Sequence, residues 1–171
     1  MPRALTWSAL AVGVPYAAAL AAVAFWATPV DAGYSTELDA VIAWLSRRGL
    51  GAIDYEVIES AANAALFVPL GVLAALPLPA RWSWLAVVLG AAVSSVIETA
   101  QLFLLPARFA TAHDVLMNTL GAALGAVLGA ALRSWLVTRE RRRAAELDLA
   151  FAHIPLRGAS GVLGDRPAQR R

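Results

Sequence analysis

Four stretches of this chain are apolar over a length that crosses a lipid bilayer, and that decides what it can fold into. They run over about residues 4–30, 57–76, 82–105 and 115–137. A membrane-spanning helix needs about 20 predominantly apolar residues. Each stretch is rich in Ala, Leu and Val, and none alternates with the period of two that marks a barrel strand. The chain is 60% hydrophobic and only 15% charged, with mean hydropathy +0.65. A soluble domain is about 45–50% apolar and about 25% charged. So few charges cannot cover that much apolar surface, which excludes an ordinary water-soluble domain, a disordered chain and a coiled coil. The absence of cysteine excludes a disulfide scaffold, a thiolate metal site and a cysteine nucleophile.

The expected fold is therefore all-α: a polytopic membrane bundle of four transmembrane helices, forming one domain over residues 1–138. The first stretch begins with Arg3 and offers small residues near 24–27. Its apolar run exceeds the roughly 7–15 residues of a signal h-region, so it reads as a retained span. Between the first and second spans, Leu38, Val41, Ile42 and Leu45 fall at i, i+3, i+4 and i+7. Thr36 suits the N-cap, with Asp39 at N3, and Gly49 suits the stop. This predicts a short amphipathic helix on the membrane surface; a cap packed on the helix ends is the alternative. Pro15 and Pro69 each remove one helical hydrogen bond inside a span and are expected to kink it.

All 14 basic residues are arginine, and nine of them lie from Arg133 onward. Arg3, Arg81 and the C-terminal arginines share one side of a four-span topology, which predicts that both termini are cytoplasmic. Arg47, Arg48 and Arg108 fall on the other side, among several acids. Residues 139–171 read as an Arg-rich cytoplasmic tail, a frayed helix end and then largely disordered. Its RERRR run acts as stop-transfer charge, with contact to anionic lipid as the alternative.

Polar residues inside spans are costly and face a bundle interior or a wet cavity. In the third span Ser94, Glu98 and Gln101 fall at i, i+4 and i+7, on one face. The fourth begins with His113 and Asp114, and Asn118 follows Asp114 at i+4. The second carries Glu56, Glu59, Ser60 and Asn63. With the topology above, Asn63, Glu98, Gln101, Arg108, Asp114 and Asn118 converge at similar depth near the extracytoplasmic surface. A carboxylate seven residues inside a helix end is about 10 Å deep, and Arg108 is expected to reach toward Glu98 or Asp114. Interhelical glue is the competing reading for Asn63 and Asn118, and capping of the fourth span for Asp114. His113 reads as interfacial. No zinc-ligand spacing occurs, and neither metal nor cofactor is expected. Gly121, Gly125 and Gly129 give small-xxx-small spacing, suited to close helix packing within the chain or, alternatively, to a homodimer.

From about residue 59 to 129 the chain resembles the VanZ-like family of bacterial membrane proteins. The resemblance rests on NAALFVPLG from Asn63, SSVIETAQ from Ser94, and Arg108 followed after five residues by DVLMNTLGAALG from Asp114. Order and spacing both fit. It implies a cell-envelope protein of the bacterial plasma membrane, in a family linked to glycopeptide antibiotic resistance, chiefly to teicoplanin. The polar positions found from topology coincide with the motif residues.

Three functions are weighed. The first is binding of an envelope lipid or glycopeptide headgroup by Asn63, Glu98, Gln101, Arg108, Asp114 and Asn118. The second is an intramembrane enzyme on a lipid-linked envelope substrate, with Glu98 and Asp114 as the catalytic candidates. No nucleophile motif, metal set or nucleotide loop supports it. The third is a small transporter, against which the inner halves of the spans lack polar groups. The bilayer is the expected partner, and nucleic acid is not.

Overall fold

The computed structural model describes residues 2–26, 35–104 and 111–152 of the chain. Five α-helices follow in order: α1 Pro2–Ala24, α2 Ser35–Arg47, α3 Tyr55–Ala75, α4 Trp84–Leu104 and α5 Ala112–Ala152. A single 3-10 turn at Ala80–Trp82 leads into α4. Among the described residues there is no strand, and α1, α3, α4 and α5 are each long and apolar enough to cross a membrane. The all-α architecture with four apolar spans is as expected. The chain forms two compact units, Met1–Ser134 and Trp135–Arg171.

Local chemistry explains the helix ends. Asp54 caps α3, its Oδ1 accepting from the Val57 N–H at 3.0 Å, which satisfies one of the orphan donors of the first turn. Gly49 stops the segment after α2 in the left-handed region at φ 85°. Leu50 N–H donates to the Leu45 carbonyl at 3.1 Å and Gly49 N–H to that of Ser46 at 3.1 Å, the paired bonds of a Schellman ending. Thr36 stands inside the first turn of α2, because the helix already begins at Ser35. On α2, Leu38, Ile42 and Leu45 are half-buried, Val41 and Trp44 are exposed, and the Arg48 guanidinium lies 4.3 Å from the Trp44 ring centroid.

The bundle is inverted relative to a soluble protein. Its large apolar side chains point outward: Trp7, Val14, Val96, Phe103 and Val127 are each more than half exposed. What is buried is small or polar, including Ala75, Ala86, Ala122, Ser94 and Asn118. Lipid solvates leucine and valine well, so nothing drives them inward; close packing and polar pairing hold such a bundle instead.

The tightest seam joins α3 and α5. A β-carbon on Gly121 would overlap the carbonyl oxygen of Ala64, and one on Gly125 would overlap that of Val68. On Gly129 it would come within 2.7 Å of the Val72 carbonyl oxygen. From the opposite side, Gly71 abuts the Ala122 backbone, and Gly90 of α4 leaves room for the Ala122 methyl. The three glycines at i, i+4 and i+8 thus pack within the chain, under α3.

The α1 helix packs against α3. Leu20 joins Phe67 and Ala122 in an apolar cluster, and the Tyr16 hydroxyl donates to the Leu66 carbonyl of α3. Pro69, inside α3, removes the N–H that would serve the neighbouring Ala65 carbonyl. An apolar cavity of about 310 Å³ separates α1 from α4, lined by Ala17, Leu20, Leu70, Val93 and Ile97 among others.

In the second unit, the helix continues to Ala152 instead of fraying after about Thr138. Residues 139–152 are mostly Arg, Glu, Ala and Leu, all strong helix formers, and contain neither Gly nor Pro. The Arg139 guanidinium stacks 5.1 Å from the Trp135 ring centroid. The rest of the expected tail, residues 153–171, lies outside the described residues.

Candidate functional site

Alternating direction brings four helix ends together: α1 and α4 finish where α3 and α5 begin. Interhelical polar contacts join these ends, four of them between described residues as follows. The first two link α3 to α5. Ser60 Oγ lies 2.9 Å from His113 Nε2, and Asn63 Nδ2 donates to Asp114 Oδ1 at 3.2 Å. The third links α4 to α5, where Asn118 Nδ2 donates to Ser94 Oγ at 2.9 Å. The fourth links α4 to α1, where Gln101 Nε2 donates to the Ala24 carbonyl at 2.8 Å.

Each contact has a local cause. Asp114 sits in the first turn of α5, and Thr111 acts as its cap: Thr111 Oγ1 accepts from the Asp114 N–H at 3.1 Å and donates to Asp114 Oδ2 at 2.6 Å. The hydroxyl and carboxylate thereby hold each other, as in a capping box. The other carboxylate oxygen is left for Asn63. Four residues further along α5, Asn118 falls on the same face and meets Ser94 inside the bundle. Both are buried, with Asn118 at 5% and Ser94 at 0% exposure. Asn118 Oδ1 is buried and has no hydrogen-bond partner. Gln101 bonds the end of α1, because the last carbonyls of that helix have no helical donor of their own.

The expected residues therefore divide. Asn63 and Asp114 touch. Asn118 is one turn deeper and bonded to Ser94, not to either of them. Gln101 is buried and serves the α1 backbone. Glu98 is half-buried, one turn beyond Ser94 on α4. Arg108 lies outside the described residues. Three participants escaped the sequence reading of the site: Ser60, His113 and Thr111. Two signals point to them. Ser60 is three residues before Asn63, on the same face, and Thr111 stands three before Asp114, the spacing of a reciprocal cap.

Chemically, this end of the bundle offers amides, hydroxyls, an imidazole and a carboxylate in two layers. Both oxygens of Asp114 accept bonds from neighbouring side chains, so the carboxylate is fixed in place by the fold. The arrangement suits holding a polar group by several hydrogen bonds.

A family model described as VanZ/LLP1 matches residues 14–133. No curated protein and no solved structure matches the chain. The match takes in α3, α4 and the bundle part of α5 with every polar contact described above, and on that extent the chain belongs to the VanZ-like family.

Proposed function

We propose that this is a bacterial plasma-membrane protein of the cell envelope whose polar end recognises a lipid or glycopeptide headgroup at the extracytoplasmic surface. The observation that carries the reading is the pair of interhelical polar layers, Asn63 with Asp114 and Ser94 with Asn118, gathered at one end of an otherwise apolar bundle. The extracytoplasmic placement rests on the arginines: Arg3, Arg81 and the nine from Arg133 onward fall on the opposite side of a four-span topology, against Arg47, Arg48 and Arg108 on the side of the site. Both termini are then cytoplasmic. Arg108, in the link between α4 and α5, supplies the positive charge for an anionic part of the headgroup. Binding is favoured over acid–base chemistry because Asp114 already accepts from both Asn63 and Thr111. A link to glycopeptide resistance, and to teicoplanin in particular, follows from the family resemblance.

The test is Arg108→Ala, expressed in a bacterium and purified. Lipid carried through purification should fall, and any protection the intact protein gives against teicoplanin should fall with it. If both are unchanged, the headgroup reading is wrong.

A further inference from the structure

We infer that the deepest contact of the site is a hydrogen-bond acceptor, Asn118 Oδ1, that takes a donor from the headgroup, so that headgroups with an ammonium N–H or a hydroxyl are preferred over those without. This deepens the headgroup reading and rests on it.

Asn118 is 95% withdrawn from the surface, and its amide nitrogen already donates to Ser94 Oγ. Its oxygen is buried without a partner. A buried carbonyl-type oxygen with no donor is among the costlier features a membrane bundle can hold. Mere glue between α4 and α5 would need only the amide nitrogen and the serine. The carboxamide brings in a second polar atom that the helix contact does not use. Asn118 also lies four residues further along α5 than Asp114, about 6 Å deeper. The site is thus layered. A carboxylate held by Thr111 and Asn63 lies near the mouth, and a neutral acceptor lies below it. Two successive acceptors select a group rich in donors, such as a primary ammonium or a polyol. A quaternary ammonium has the same charge but no N–H to give.

Phosphatidylethanolamine and phosphatidylcholine with identical acyl chains isolate this difference. The full chain in detergent is equilibrated with an equimolar mixture of the two, repurified, and its bound lipid is quantified by mass spectrometry. Ethanolamine lipid should be enriched about tenfold, the effect of one charge-assisted hydrogen bond. Ser95→Ala should keep the enrichment, because the Ser95 hydroxyl donates to the Ala91 carbonyl of its own helix and its loss leaves Asn118 and its partner in place. Asn118→Leu should abolish it. If Asn118→Leu does not fold, Asn118→Ala replaces it, removing the acceptor without adding bulk. Retention of both lipids without preference overturns this inference, including the case in which water alone serves the oxygen, and leaves the headgroup reading standing. Enrichment that survives Asn118→Leu or Asn118→Ala overturns it as well, as does equal loss in Ser95→Ala. Retention of neither lipid overturns the headgroup reading along with it.

Discussion

Gly121 of α5 and Ala64 of α3 meet backbone to backbone, so closely that a single methyl group on the glycine would overlap the alanine carbonyl oxygen. The same relation repeats one turn on, between Gly125 and Val68. In lipid such contact replaces the hydrophobic effect as the source of helix association, because small residues let two backbones approach and gain dispersion contacts along their length.

Gly121→Ala is therefore expected to destabilise the bundle by about 1–3 kcal/mol, the usual cost of overpacking. Gly13→Ala is the control: a β-carbon there would meet only Leu73 Cβ, at 3.9 Å. Thermal unfolding in detergent, followed by circular dichroism, should separate the two variants. Equal midpoints would show that the α3–α5 seam does not set stability.

Thr111→Ala removes the cap of α5 and is expected to cost about 1 kcal/mol, with Thr111→Ser restoring most of it. Because Thr111 and Asn63 hold different oxygens of Asp114, Asn63 and Asp114 should also couple. A double-mutant cycle of Asn63→Ala and Asp114→Ala should give about 0.5–1.5 kcal/mol. A coupling of zero would remove the Asn63–Asp114 bond from the account of this site.

Between described residues, Tyr16 bonds α1 to the Leu66 carbonyl and Gln101 bonds the Ala24 carbonyl of α1. Tyr16→Phe and Gln101→Leu should each lower stability by about 1 kcal/mol. Tyr16 and Ala24 are about 12 Å apart along the helix, so the two losses should add in the double variant. Strongly non-additive midpoints would mean that α1 is released all at once by either change.

The proposed orientation predicts reagent accessibility. Arg108→Cys should react with a membrane-impermeant thiol reagent applied to intact cells, whereas Ala144→Cys should react only after permeabilisation. The chain has no native cysteine to confuse the readout. The reverse pattern would invert the site to the cytoplasmic face.

The sequence and the fold agree where a physical rule links neighbouring positions. Length and hydropathy identify the spans because the bilayer fixes how much apolar helix is needed. Gly49 is readable as a stop because a left-handed residue favours glycine. Asp114 and Asn118 are readable as one face because the helix repeats every 3.6 residues. Partners are harder to read. Gln101 finds a main-chain carbonyl at the end of α1, and backbone acceptors carry no sequence signature. Asn118 pairs with Ser94, not with the other amides, because depth along two antiparallel helices depends on where each one starts. The glycine stripe announces a close neighbour without naming it; in the fold that neighbour is α3. Arg108, expected from its place in the link between two spans to reach toward Glu98 or Asp114, lies outside the described residues.

The packing of the glycines also decides which changes this part of the bundle can accept. Carbonyls of α3 sit in notches on α5, and Gly90 leaves room for the Ala122 methyl, so any side chain at these glycines would push against backbone or against Ala122. The contacts that fasten α1 are of another kind, a phenol at mid-height and an amide at its tip, and neither depends on a missing side chain.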